Sequence, residues 1–179
     1  VCQDAQGWLR DGLMDQLYPM MYFQGEQFFP FAIDWKERSY GRTVVPGLGI
    51  YFMSEKEKNW DSDIIEREMY VLRTFDLGHA YFRSKFFTDN TKGIYDFAAD
   101  EFDRYPALTP AMTWASNTQP SAPESFNVTN TDTAVIISWK NDPAHSGQTY
   151  LTYNIYGSQE YPVNTDDARN IIATRVSEN

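Results

Sequence analysis

Four acids stand in or near the first two apolar runs of the sequence: Asp15, Glu26, Asp34 and Glu55. Cleavage of a glycosidic bond needs two carboxyl groups about 5–9 Å apart, one as acid and one as base or nucleophile. Asp15 opens the first run, Glu26 follows that run in a loop, Asp34 falls in a helical pattern, and Glu55 lies among other charges. No two of these positions form a matched pair, so Glu26 stands as a weak catalytic candidate and the catalytic residues are otherwise unassigned. A second set of side chains suits binding. Tyr22 and Gln24 lie around the end of the first run, Tyr51 and Met53 at the end of the second, and Arg83, Ser84 and Lys85 at the end of the third. Aromatic rings beside hydrogen-bonding groups match a sugar, which has an apolar face and a polar rim. Tyr22, Gln24, Tyr51 and Arg83 are therefore the candidate substrate-binding residues. The competing readings are that the tyrosines only fill the mouth of the fold and that Arg83 pairs with a loop carboxylate such as Asp89.

These residues acquire a common edge only if the runs are parallel strands. Leu13 to Phe23 is apolar and aromatic for most of its length. Such a run reads as a strand covered on both faces; Pro19 argues against the alternative, a buried helix. Thr43 to Phe52 is the second strand, interrupted at Pro46 and Gly47, and residues 79–84 are the third. Helices alternate with them. Gln3 to Gly12 has Asp4 as its cap and Trp8 and Leu9 as its apolar face. A second helix spans roughly residues 28–40 and stops at Gly41. In a third, capped by Asn59 or Asp61, Ile65, Met69 and Leu72 form the stripe, Glu66, Arg67 and Glu68 face outward, and Gly78 is the stop. Residues 85–90 read as a loop. Lys92 to Tyr105 is a fourth helix with Ile94, Phe97, Ala98 and Phe102 on one face. Helices alternating with strands imply parallel strands joined by crossovers. Three such units match either the end of an eight-stranded barrel or part of an open sheet.

Past Trp114 the composition shifts to Ser, Asn, Thr, Gln and Pro, which is linker chemistry. The period then becomes two. Val135, Ile137 and Trp139 share one face of a strand, and Leu151, Tyr153 and Ile155 share one face of another. Residues 171–176 form a further strand. Short alternating strands between turns suggest an antiparallel sandwich. The fold class is thus α/β plus all-β.

Composition narrows the partners. The net charge of −10, without a Lys/Arg cluster, excludes a nucleic-acid backbone as a natural ligand. Aromatic residues make up 16%, which fits a large core and equally fits stacking surfaces. The single cysteine, Cys2, cannot form an intrachain disulfide, and His79 and His145 lack metal-ligand spacing. His79 begins its strand, where a structural role is expected. Neither a metal nor a cofactor is called for. No apolar run reaches the length of about 20 residues that a membrane span needs.

Four segments in order carry a family resemblance: QDAQGWLRDGLMDQLYPMMYF, PGLGIYF, GHAYFRSKFF and YPALTPAMTW. Over residues 1–114 the chain resembles the C-terminal third of glycosyl hydrolase-like family 10. That resemblance implies a TIM-type (β/α)8 barrel, with the strands here as its sixth, seventh and eighth. It implies a bacterial protein located outside the cytoplasm (periplasmic, secreted or a cell-surface lipoprotein) that acts on a polysaccharide, with catalytic acids on earlier strands. The alternative is a non-catalytic carbohydrate-binding or cell-surface interaction protein. Residues 115–122 form the linker. Over residues 123–179 the segments APESFNVT, AVIISWK and TYNIYGS resemble strands A, B and C of a fibronectin type III domain, with Trp139 and Tyr153 as core aromatics and residues 171–176 as strand E. The resemblance implies a spacer or partner-binding module that is incomplete here, its exposed edges covered by dimer contacts or strand exchange.

Overall fold

The computed structural model describes residues 3–140 and 151–177, so Cys2 and His145 lie outside the described residues. Contacts divide the chain into two units, Val1–Arg104 and Tyr105–Asn179.

In the first unit, four short strand segments form one parallel ladder along three chain passes. β1 (Gln16–Leu17) pairs with β2 (Thr43–Val44), and β3 (Gly47–Leu48) pairs with β4 (Ala80–Tyr81). A parallel bridge between Met20 and Gly47 continues the first pairing. The amides of Thr43, Val45 and Gly47 donate to the carbonyls of Asp15, Leu17 and Pro19. Those of Gly78, Ala80 and Phe82 donate to Val44, Pro46 and Leu48. The second pass thus lies between the first and the third. Pro19 and Pro46 each lack an N–H to return, which breaks the regular strand into these short pieces.

The first strand is shorter than the run Leu13 to Phe23. Its ladder extends from Asp15 to Met21, while Leu13 and Met14 lie outside it and are exposed. It is also covered on one face only. Leu17, Met21, Val44, Leu48 and Tyr81 pack toward the core. Tyr18 and Met20, on alternate positions, are 59% and 73% exposed.

Helices supply the covered face. α1 (Ala5–Arg10) is capped by the Asp4 carboxylate, which accepts from the Gly7 amide at 2.9 Å. The chain leaves α1 through Gly12, whose φ of +72° few other residues adopt readily. α2 (Phe29–Glu37) carries Pro30 in its first turn and ends before residue 40. Tyr40 and Gly41 follow it with positive φ.

α3 (Ser62–Thr74) buries Ile65, Met69 and Leu72 as the spacing requires. It also buries Glu68, which the sequence reading placed outward. Position 68 is three residues after 65 and four before 72, so it belongs to the same face. Asp61 stands at the N-cap of α3 without a cap hydrogen bond. The left-handed stop after α3 is Asp76, at φ +51°, and not Gly78. Gly78 instead allows close approach: a Cβ there would lie 3.0–3.4 Å from the Val45 side chain.

The expected loop 85–90 contains a short helix, α4 (Ser84–Thr88), whose Phe86 and Phe87 pack against the core. The last helix is not regular. A 3-10 turn (Thr91–Gly93) leads into α5 (Ile94–Asp96), which widens into a π turn (Phe97–Phe102). The buried residues Ile94, Ala98 and Phe102 recur every four positions. His79 helps to hold this turn: its Nε2 lies 3.1 Å from the Tyr81 hydroxyl and 3.3 Å from the Asp103 carboxylate.

In the second unit, β5 (Glu124–Asn130) pairs antiparallel with β6 (Val135–Lys140), and β7 (Tyr153–Tyr156) with β8 (Ile171–Val176). Trp139 meets Tyr153 edge to face, ring centroids 5.2 Å apart. The pairing puts β7 and β8 in one sheet. A strand E would lie in the sheet opposite strand C, so residues 171–176 do not occupy that place. Among the described residues, no helix is long and apolar enough to cross a membrane.

Candidate functional site

Three rings from three parallel chain passes converge at one end of the ladder. Tyr22 follows the first pass, Tyr51 lies in a 3-10 turn (Ile50–Met53) after β3, and Phe82 follows β4. The Tyr51 amide donates to the Phe82 carbonyl at 3.2 Å, which ties the second and third passes together where they end. Tyr22 and Phe82 stack at 5.2 Å with planes 16° apart. Tyr51 meets both edge-on, at 5.9 Å from Tyr22 and 5.7 Å from Phe82. Offset stacking and edge-to-face contacts are the arrangements that aromatic quadrupoles favour.

The shelf extends along the following loop. Tyr51 contacts Phe52 at 4.0 Å, and Phe52 contacts the buried Trp60 at 4.8 Å. The Trp60 amide donates to the Phe52 carbonyl, and Lys92 donates to the Trp60 carbonyl at 2.7 Å. These bonds hold the loop against the rings. The Lys58 ammonium lies 3.7 Å above the Phe52 ring, within cation–π range.

Two glycines make room for Tyr22. A Cβ at Gly47 would lie 3.1 Å from the edge of the Tyr22 ring. One at Gly49 would lie 3.1 Å from Tyr22 Cβ and 3.3 Å from its Cα. The Gly47-Leu48-Gly49 triplet is therefore a seat for a ring. Burial, and secondarily the neighbouring Tyr51, raise the Tyr22 phenol above its ordinary pKa.

Gln24 precedes a 3-10 turn (Gly25–Gln27) that contains Glu26, and both side chains are exposed. Arg83 is exposed just before α4, its guanidinium 5.4 Å from the Phe86 ring. Asp89 pairs with Lys85 and not with Arg83. Met53 is fully buried in the core and so is not a surface contact.

Of the remaining acids, Asp15 is 3.1 Å from Arg42 at the opposite end of the ladder. Asp34 is on α2, where Arg38 holds it at 3.1 Å. Glu55 is exposed in the loop after β3. The structure brings Tyr22 and Tyr51 together and adds Phe82. It brings no two of these acids into a shared contact. No group of three or more His, Cys, Asp or Glu positioned for a metal occurs among the described residues.

The facing of Phe82 is legible in the sequence, although its meeting with Tyr22 and Tyr51 is not. The alternation that places Tyr81 toward the helices places Phe82 on the face of Tyr22. A separate cavity of about 420 Å³ lies beside the first pass, lined by Met20, Met21, Phe23, Phe31 and Trp35. Tyr22, Tyr51 and Phe82 are not among its lining residues. No protein-family model matches the chain, and no curated protein and no solved structure matches it either.

Proposed function

We propose that this chain forms the last three βα units of a (β/α)8 barrel in an extracytoplasmic, glycoside hydrolase-like protein, and that it supplies a wall of the polysaccharide site. The observation that carries the reading is the Tyr22–Tyr51–Phe82 cluster. In α/β folds the carboxyl ends of parallel strands face the ligand, and that is where these rings lie. The ladder supports the barrel. Its three passes are parallel neighbours in chain order, and one face carries exposed Tyr18 and Met20. Parallel sheets are covered on both faces, so further βα units belong on that side. The tail, in this reading, is a fibronectin type III-like module.

Chemistry requires a carboxyl pair that this wall lacks. Glu26 is exposed on a turn, and Asp15 is at the far end of the ladder. The catalytic acids therefore belong to earlier units, and the chain by itself binds without turnover. A wall without acids also favours the second reading, a carbohydrate-binding protein without hydrolytic activity. A panel of polysaccharides tests both. The chain should retain oligosaccharide binding and release no reducing ends. Reducing-end release from a protein that contains this chain with upstream βα units selects the hydrolase; binding without release selects the binding protein. Absence of binding by the chain contradicts both.

A further inference from the structure

We propose that the aromatic shelf takes a sugar that carries a carboxylate, stacked on the free face of Phe82 and clasped by Arg83. This inference rests on the sugar-site reading above and names its substrate class. Tyr22 covers one face of Phe82, yet Phe82 remains 46% exposed. Tyr22 and Tyr51 are more buried and act as its support. The outward face of Phe82 is the platform, and an apolar sugar face fits it.

Arg83 follows directly in the chain. In a protein with 25 acids and 15 lysines and arginines, carboxylate partners are plentiful. Arg10, Arg38, Arg42, Arg67, Arg73 and Arg169 each have one within 4 Å. Arg83 forms no ion pair among the described residues, and Lys85 already holds the nearby Asp89. In the loop after β3, Glu55 and Glu57 are matched in number by Lys56 and Lys58, and Arg83 is the charged residue next to Phe82 in the chain. Its planar fork matches a carboxylate with two parallel hydrogen bonds. A uronic acid offers both features, a ring face for Phe82 and a carboxylate at the ring's rim for Arg83.

Calorimetric titration of the full chain with a uronic-acid tetrasaccharide and a neutral tetrasaccharide tests this. The acidic ligand should bind at least about tenfold more tightly, a difference of about 1.4 kcal/mol. Arg83→Gln should abolish the preference, weakening the acidic ligand at least about tenfold more than the neutral one; Arg83→Lys should restore part of it. Phe82→Ala should weaken both ligands. Equal binding by the wild type, or a preference that survives Arg83→Gln, overturns the acidic-sugar inference and leaves the shelf reading standing. Binding of neither ligand overturns both.

Discussion

The Tyr22 and Phe82 rings stack at 5.2 Å although they come from passes that do not pair with each other. Passes on either side of a middle strand are about 10 Å apart, twice the ordinary strand spacing. Two rings can close that gap only by leaning over the pass between them. Gly47 and Gly49 are what that middle pass presents to Tyr22.

Substitution at the two glycines should therefore differ in cost. At Gly47 an added methyl meets mainly the edge of the Tyr22 ring, which can tilt. At Gly49 it meets the Phe52 ring and also Tyr22 Cβ and Cα, which cannot move independently of the backbone. Gly49→Ala should destabilise the chain by about 1–3 kcal/mol, as overpacking does, and Gly47→Ala by less. Urea unfolding of the two variants checks the order. Equal costs would mean that Tyr22 does not rest on this strand as described.

Glu68 makes stability depend on pH. It is fully buried on α3, neither carboxyl oxygen has a hydrogen-bond partner, and burial raises its pKa from the ordinary 4.5 to about 9. Below 4.5 the group is neutral whether the chain is folded or not, and its stability contribution is fully present. As pH rises toward about 9 the unfolded chain ionises while the folded one does not, so that contribution is lost. At pH 7 the loss is about 3 kcal/mol. Glu68→Gln should flatten the profile across this window, as measured by urea midpoints at a series of pH values. A wild-type profile that is already flat would show that Glu68 is charged and solvated.

Trp139 and Tyr153 join the two hairpins of the tail. The Trp139 indole nitrogen is buried without a hydrogen-bond partner, so its ring area carries the contact. Trp139→Ala should speed amide exchange in both β5–β6 and β7–β8, while Trp139→Phe should leave most protection intact. Faster exchange confined to β5–β6 would show that the hairpins are independent.

The alternation of helices and strands was legible because the apolar runs, the glycine stops and the Asp4 cap are local signals. Strand lengths were less so, since Pro19 and Pro46 remove ladder bonds without changing the apolar pattern. Tyr22 and Tyr51 could be placed at strand ends from the runs alone. Phe82 could not be joined to them without knowing that the third pass ends level with the second. The charge of Glu68 argues for an outward position, although its spacing from Ile65 and Leu72 puts it on the buried face. In the tail, alternation identifies strands but not partners, and β8 proved to lie beside β7.

The central claim is that the rings at the carboxyl ends of the ladder form a sugar-binding wall. Side-chain NMR of the aromatic residues during titration with oligosaccharides tests it most directly. Shifts should concentrate at Tyr22, Tyr51 and Phe82 and be lost in Phe82→Ala, with Tyr70 and Tyr95 on the helices unmoved. Shifts centred elsewhere, or none at millimolar ligand, would contradict it.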